Sequence, residues 1–249
     1  MSAIQIAQLN KTYPTDPPVQ ALSGIDLDVQ PGEFVALLGP SGCGKSTLLN
    51  LVAGFEQATG GTLKVNGAAV AKPGPDRGVV FQEAALFPWL TVWDNAIFGP
   101  RVQGVPAREY EARANEMLQL VGLQDFKNHL PVQLSGGMRQ RVGIARILTL
   151  GSKVLLMDEP FGALDAQTRL TMQELLLSVW QKLSPTIVFV THDIDEALFL
   201  ADTIYVMSAR PGRIQAKLNV ALNRPRTIED TTSEAFNTMK REILHQIRH

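Results

Sequence analysis

Two glycine-containing segments carry residues suited to binding phosphate. The first, residues 39–46, reads Gly-Pro-Ser-Gly-Cys-Gly-Lys-Ser and fits the pattern G-x-x-x-x-G-K-[ST]. Its glycines allow backbone N–H groups to approach phosphate oxygens, and the helix that follows would present its positive end to the same anion. In such a loop Lys45 neutralises the β- and γ-phosphates and the Ser46 hydroxyl ligates Mg²⁺. The predicted nucleotide-binding residues here are Gly39, Pro40, Ser41, Gly42, Cys43, Gly44, Lys45, Ser46 and Thr47.

The second segment, residues 134–138, reads Leu-Ser-Gly-Gly-Met and precedes a strong helix candidate that ends at Leu150. Ser135 is a favourable N-cap residue, and Gly136 and Gly137 keep the first N–H groups of the helix accessible. A helix N-terminus of this kind attracts anions. If the helical part of the chain lies apart from its own nucleotide, a second copy of the chain must supply this segment to each nucleotide.

Two adjacent acids end the apolar run at residues 153–157. Asp158 can hold Mg²⁺ through water, and Glu159 can then polarise an attacking water as a general base. Two acids after a strand are, by themselves, more often a helix cap or a solvated turn. The glycine loop upstream favours the catalytic interpretation.

Strand-like and helix-like segments alternate along the chain, which predicts an α/β fold with a mostly parallel sheet covered by helices. The apolar run 33–38 leads directly into the glycine loop, and residues 45–53 read as the helix that follows. Residues 86–150 are mainly helical in character and are interpreted as an insertion. We therefore predict one domain over residues 1–222, followed by a linker and helix over residues 223–249.

The C-terminal helix is predicted to begin near residue 231. Thr231 and Glu234 have the spacing of a capping box, with apolar residues following on one side. The favoured interpretation is a helix that docks on the domain and covers part of its core.

Composition limits the partners and the compartment. The formal net charge of −1 over 249 residues provides no overall field for nucleic acid or anionic lipid, so we expect no nucleic-acid partner. The single cysteine excludes an internal disulfide and fits a reducing compartment. The sequence contains no secretory signal pattern and no apolar run of the roughly 20 residues that a bilayer crossing needs. These observations predict a soluble cytoplasmic protein.

Segments 39–46, 134–138 and 153–159 together resemble the ATP-binding cassette ATPases. The resemblance implies a P-loop NTPase (RecA-like) α/β fold, with a mostly parallel sheet core, an N-terminal antiparallel β subdomain and an inserted α-helical subdomain. In that family ATP lies between two copies, which implies a homodimer that closes around ATP and Mg²⁺ and reopens after hydrolysis.

Four further site residues follow from this resemblance. Gln82 matches the glutamine that reaches the metal and the lytic water, and His192 matches the histidine that contacts the γ-phosphate. Asp165 matches the aspartate that links the two sites of the dimer, and Tyr13 matches the aromatic residue that stacks on adenine. Cys43 has two interpretations, a small residue that fills space in the loop, or a thiol whose pKa is lowered by the adjacent helix N-terminus and which is therefore sensitive to alkylation, without a catalytic role.

Residues 72–82, 86–99, 191–202 and 207–214 are similar to ATPases of bacterial nitrate, sulfonate and taurine importers. This implies two transmembrane permease subunits, an external solute-binding protein, and a peripheral location on the cytoplasmic face of the inner membrane. The transported solute would be a sulfonate, taurine or nitrate-type anion, although related subunits serve cyanate, thiamine precursors, riboflavin or aromatic acids.

Alternative functions come from other classes of protein. One is a soluble cassette ATPase of DNA repair or translation, and another is a stand-alone exporter ATPase. A P-loop kinase or GTPase would leave the segment 134–138 unexplained. Trp89 and Trp93 also have two interpretations, contact with the permease or packing within the helical insertion.

Overall fold

The computed structural model describes residues 2–248, so Met1 and His249, the outer limits of the predicted domains, lie outside the described residues. The chain forms two compact units. The first combines the N-terminal residues up to Gly74 with the residues from Pro185 onward, and the second is Pro75–Ser184. The predicted limits, residues 1–222 with a helical insertion over 86–150 and a tail over 223–249, stay predictions. Strands and helices are numbered in chain order across both units.

The first unit contains an antiparallel sheet with the order β2-β1-β4-β5. The two longest strands pair from Ile4 opposite Val29, and β4 flanks β1 on its other side. Ile4 and Ile6 are buried and alternate with exposed residues, as expected when one face of a sheet packs on the core. The expected N-terminal antiparallel subdomain is confirmed. Its strands are β1 (Ile4–Tyr13), β2 (Val19–Val29), β4 (Gly60–Val65) and β5 (Ala68–Ala69).

A second group of strands in the same unit has the order β10-β9-β3-β8. The strand β3 is parallel to both of its neighbours, and β10 is antiparallel to β9. Every residue of β3, β8 and β9 is buried, as in a sheet with both faces covered. The strands are β3 (Phe34–Leu38), β8 (Thr186–Thr191), β9 (Thr203–Met207) and β10 (Ile214–Asn219). The helices are α1 (Lys45–Ala53), α6 (Ile194–Leu200) and α7 (Glu234–Arg248).

The second unit contains two parallel strands and four helices. In the paired strands Val80 lies opposite Met157, and α4 packs against α2 and α3. A Cβ at Gly78 would overlap Ile147 of α4, so this glycine permits close packing of helix on strand. The strands are β6 (Arg77–Val80) and β7 (Val154–Asp158). The helices are α2 (Val92–Val102), α3 (Ala107–Leu120), α4 (Gly136–Leu150) and α5 (Ala166–Leu183).

The predicted start of the C-terminal helix is wrong. A short 3₁₀ turn covers Ile228–Thr232, and α7 begins at Glu234. The Thr231 hydroxyl donates to the Ile228 carbonyl within that turn, whereas Ser233 Oγ accepts from the Phe236 amide at 3.2 Å. Ser233 is therefore the N-cap, because Thr231 is already used by the turn.

Among the helices of the described residues, none combines the length and apolar character that a membrane span requires.

Candidate nucleotide-binding site

The loop between β3 and α1 has a backbone that requires glycine at two points. A Cβ at Gly39 would lie 2.7 Å from the Met207 carbonyl oxygen and 2.9 Å from Cys43 Sγ. Gly44 has φ +98°, and a Cβ there would lie 2.7 Å from Leu22 Cδ2. Larger residues at these positions would push the loop away from its supports.

Lys45 is held inside this loop. Its side chain is 5% exposed, and its Nζ donates to the Gly39 carbonyl at 2.7 Å and to the Pro40 carbonyl at 3.0 Å. A buried ammonium needs such partners. The neighbouring residues Pro40, Ser41, Gly42 and Ser46 are exposed. The loop thus combines a fixed cation with an accessible backbone, an arrangement that suits a phosphate chain.

Cys43 does not have the predicted low thiol pKa. Its side chain is buried, and burial raises the pKa of the thiol from its ordinary value, although the nearby Lys45 ammonium opposes the shift. The Sγ atom packs under Gly39. The expectation from the helix N-terminus is wrong because desolvation outweighs the positive charge.

Tyr13, at the end of β1, belongs to a small polar cluster. Its hydroxyl donates to Glu56 Oε1 at 2.9 Å, and Lys11 Nζ lies 2.8 Å from Glu56 Oε2. The Lys11 ammonium also lies 4.8 Å from the centroid of the Tyr13 ring. Burial raises the pKa of Tyr13, and a hydrogen bond with Thr47 of α1 acts against the shift. The cluster fixes the ring beside the first turns of α1, while its role in stacking on adenine stays a prediction.

His192 lies at the same edge of the sheet as the glycine loop. Leu38, the last residue of β3, pairs with Thr191, the last residue of the parallel strand β8. Gly39 and His192 are the residues that follow this pair, and His192 is exposed. The carboxyl edge of a parallel sheet is where ligands bind in α/β folds.

In the second unit, Gln82, Asp158 and Glu159 lie at or just after the ends of paired parallel strands. Asp158 ends β7 and is half-buried, and Glu159 comes next with φ +44°. Few non-glycine residues adopt this conformation, and those that do cluster at functional sites. Gln82 Nε2 lies 3.1 Å from the point that a Cβ on Gly162 would occupy, so the amide rests on the loop after Glu159.

Gln140, in α4, is a residue that the sequence analysis did not identify. It is 3% exposed, and its Nε2 donates to the Phe81 carbonyl at 2.8 Å and to the Pro160 carbonyl at 2.7 Å. These carbonyls immediately precede Gln82 and follow Glu159 in sequence. Gln140 thus ties the helix of segment 134–138 to both loops, and the only signal in the sequence was a polar residue on a helical face that is otherwise apolar.

The segment 134–138 forms the N-terminus of α4, where Ser135 and Gly136 are exposed and Gly137 is buried. Ser135 Oγ accepts from the Met138 amide at 3.2 Å and caps α4. Asp165 caps α5 in the same way, accepting from the Thr168 amide at 3.0 Å and the Thr168 hydroxyl at 2.6 Å. These hydrogen bonds lower the pKa of the Asp165 carboxyl. A Cβ at Gly137 would lie 2.7 Å from Thr168 Cγ2, so the two helix N-termini lie side by side.

The two tryptophans of the helical region differ in environment. Trp93 packs against Ile97, Tyr110 and Ala114, whereas Trp89 is 72% exposed. Trp89 follows Pro88, which lines a groove of about 640 Å³. Trp93 therefore packs within the helical region. For Trp89, contact with the permease stays a prediction. The groove is also lined by residues 82–86, Pro131, Val132, Gly136, Arg139, Gln140, Pro160, Ala163 and Leu164.

The chemistry of the predicted metal ligands fits Mg²⁺. Ser46, Gln82 and Asp158 supply hydroxyl, amide and carboxylate oxygens, the hard donors that Mg²⁺ prefers. The described residues contain no cluster of three or more His, Cys, Asp or Glu side chains that would form a protein cage for a metal. This donor set suits an ion held by few protein ligands together with substrate phosphates.

Comparison with known proteins gives one family. The family described as "ABC transporter" matches residues 22–162. A taurine import ATP-binding protein of Rhizobium johnstonii is 54% identical over 81% of this chain and 77% of its own length. A nitrate import ATP-binding protein of Synechocystis is 48% identical over 96% of this chain and 89% of its own length. The dimeric, post-hydrolysis form of the ATP-binding cassette MJ0796 bound to ADP and Pi has a TM-score of 0.75 and 31% identity, covering 88% of this chain and 100% of that one.

Proposed function

We propose that this chain, which belongs to the ABC transporter family of ATPases, is the ATP-hydrolysing subunit of a bacterial importer for a small anion. The proposal for ATP hydrolysis depends mainly on the glycine loop wrapped around the buried Lys45. The proposal for import depends on the relatives named for taurine and nitrate import.

Each site residue has a proposed role in hydrolysis. Lys45 and the backbone of residues 39–47 bind the phosphates, and Ser46, Gln82 and Asp158 hold Mg²⁺. Bound Mg²⁺ would neutralise charge on the phosphate oxygens. Glu159 orients and deprotonates the attacking water, and its strained backbone supports this role because the conformation is maintained at an energetic cost.

The remaining roles involve the γ-phosphate, the base and the dimer. His192 would contact the γ-phosphate, and Tyr13 would stack on adenine. The capped and exposed N-terminus of α4, with Ser135, Gly136 and Gly137, would contact the nucleotide of a second copy. Asp165 would couple the two nucleotide sites of the dimer. Support for a homodimer comes from the dimeric cassette with a similar fold.

Two permease subunits are the proposed membrane partners, which would place the chain peripherally on the cytoplasmic face of the membrane. The groove beside Pro88 and the exposed Trp89 ring are the proposed contact surface. A solute-binding protein would deliver the substrate to the complex. The proposed substrate class is a sulfonate, such as taurine, or a nitrate-type anion.

Substitution of the proposed base tests the hydrolytic mechanism. Glu159→Gln should bind ATP and dimerise but hydrolyse it roughly 10²- to 10⁴-fold more slowly, since a general base contributes that much. Phosphate release and ATP binding would be measured on the same preparation. Glu174→Gln, an exposed acid on α5, is the matched control and should hydrolyse ATP normally. Near-normal hydrolysis by Glu159→Gln would exclude Glu159 as the base.

The permease contact is tested separately. Trp89→Ala should reduce co-purification with permease subunits while leaving the ATPase activity of the isolated chain unchanged. Val102→Ala removes another exposed apolar side chain from the same unit and should have no effect. Undiminished co-purification of Trp89→Ala would remove Trp89 from the interface.

A further inference from the structure

Two arginines of the C-terminal segment bind the end of α6. Arg226 Nη1 donates to the carbonyls of Leu198, Phe199 and Ala201, at 2.9, 3.2 and 2.7 Å. Arg224 Nη2 donates to the Leu200 carbonyl at 2.6 Å. The last carbonyls of a helix have no partner within the helix, and a cation there also complements the helix dipole. The two guanidinium groups thus cap the C-terminus of α6.

The cap formed by Arg226 is buried. Arg226 is 6% exposed, and this burial lowers its pKa to about 10. Taking a guanidinium out of water is costly unless its donors are used. The bound conformation of residues 222–226 and the position of α6 are consequently coupled, because moving either one leaves buried donors or carbonyls without partners.

The other end of α6 is held by the same segment. Lys240 of α7 donates to Asp195 at 2.7 Å, in the first turn of α6. The helix α7 packs against α6 and buries Phe236 and Ile243. The chain after Leu222 therefore contacts α6 at both ends.

The first turn of α6 holds the backbone on each side of His192. The Thr191 hydroxyl donates to Glu196 Oε2 at 2.6 Å and accepts from the Asp193 amide at 2.9 Å. Asp193 in turn caps α6 by accepting from the amides of Asp195 and Glu196. His192 lies between Thr191 and Asp193, so its position depends on the position of this short helix.

We infer that the segment from residue 222 to residue 248 is a brace that positions His192 through α6, with Arg226 as its main positioning residue. The hydrogen bonds of Arg226 go to carbonyls of the α6 C-terminus and of Leu222, so its proposed action on His192 is indirect. The inference rests on the role of His192 proposed above. It gives the C-terminal segment a function in hydrolysis, which simple coverage of the core would not.

A double-substitution experiment separates positioning from general stability. Arg226→Met should lower kcat at saturating ATP about tenfold, while KM for ATP changes little because the glycine loop is intact. Arg226→Lys should recover part of the rate, since an ammonium can still donate to the carbonyls.

In a His192→Ala background, Arg226→Met should cause no further loss of rate. Hydrogen exchange at residues 194–200 should rise in Arg226→Met. Arg241→Met, which removes an exposed charge on α7 whose side chain donates to Thr238, is the matched control and should match wild type in rate and exchange.

The outcomes distinguish this inference from the proposed function. Equal fold-losses for Arg226→Met in both backgrounds, or unchanged exchange in α6, would overturn the brace alone. A normal rate for His192→Ala would overturn the proposed role of His192 and the brace with it. If Arg226→Met does not fold, Lys240→Met takes its place in the same cycle, with a smaller loss expected because its ion pair is partly exposed.

Discussion

The two phosphate-binding motifs of this chain are built in opposite ways. In residues 39–46 the cation is buried, the loop wraps around it, and glycine is required where a Cβ would strike neighbouring backbone or side-chain atoms. In residues 135–137 the N-cap Ser135 and Gly136 are exposed, and a Cβ at Gly136 would meet side-chain atoms of Leu164 and Arg139 only at ordinary distances of 3.5 and 3.9 Å. The constrained position of this motif is the buried Gly137, where a Cβ would lie 2.7 Å from Thr168 Cγ2.

This difference shows which motif can act within its own subunit. The first motif already supplies a fixed cation and a shaped backbone, so it can bind phosphate without help. The second supplies only capped peptide N–H groups at an exposed helix end. An exposed helix end of this kind can complete a phosphate site whose main part is formed by another segment. This agrees with a site shared between the glycine loop of one copy and the α4 N-terminus of the other.

The largest expected effect follows from blocking the exposed motif. Ser135→Arg should reduce hydrolysis at least roughly 10²-fold, because a long side chain would cover the N–H groups that stabilise transition-state charge. Nucleotide binding by the monomer should be unchanged, since the first motif is intact. Binding measured by fluorescent nucleotide and hydrolysis measured by phosphate release separate the two effects.

Ser135→Ala is the control for this substitution. It loses only the N-cap, which costs about 1 kcal/mol of stability, and should retain most of the hydrolysis. If Ser135→Arg lost nucleotide binding and hydrolysis together, the two motifs would not be separable as the comparison requires.

A matched pair of glycine substitutions gives an intermediate effect. Gly44→Ala should destabilise the fold by about 1–3 kcal/mol, because φ +98° is unfavourable for alanine and its methyl group would meet Leu22. ATP affinity should fall as well. Gly136→Ala should leave the free energy of unfolding within about 0.5 kcal/mol or raise it, since alanine favours helix. Urea unfolding measures both, and equal destabilisation by the two substitutions would contradict the contrast between a constrained loop and an open helix end.

The smallest effect concerns Cys43. Because the thiol is buried and its pKa is raised, iodoacetamide at pH 8 should modify it much more slowly in the native protein than in guanidinium. Raising the pH through the elevated pKa should increase the native rate and, since the thiolate is disfavoured in the fold, reduce stability. Mass spectrometry of timed samples would measure this. Rapid modification of the native protein at pH 8 would mean that the loop is open in solution.

Periodicity and motif spacing predicted the elements that carry the site. The helix over 45–53 has the predicted limits, since apolar spacing after the glycine loop is a local property of the sequence. The helical character after residue 86 was also predicted from the sequence pattern, whereas the antiparallel subdomain was implied by the family resemblance. The strand β10 was missed although its residues alternate between partly buried and exposed, because a short edge strand has little apolar character.

The features that were missed depend on tertiary contacts. The positive φ of Glu159, the two carbonyl bonds of Gln140 and the burial of Arg226 each require knowing which backbone lies nearby. The pKa of Cys43 was predicted in the wrong direction for the same reason, because the sequence shows the helix N-terminus but not the burial. Local sequence thus identifies the reactive side chains, whereas the tertiary contacts that position them and set their pKa values become visible only in the structure.

The paired N-termini of α4 and α5 have a consequence for pH dependence. A Cβ at Gly137 would lie 2.7 Å from Thr168 Cγ2, so the first turns of the two helices, with the partial positive charge of their peptide N–H groups, lie next to each other. Peptide groups do not titrate, and Ser135 and Thr168 are neutral, so Asp165 is the titratable group among these helix caps. Its hydrogen bonds with Thr168 hold the pKa of its carboxyl below the ordinary value. The charge of the two caps is therefore constant from neutral pH down to that lowered pKa, a range in which a histidine-based clamp would already have switched.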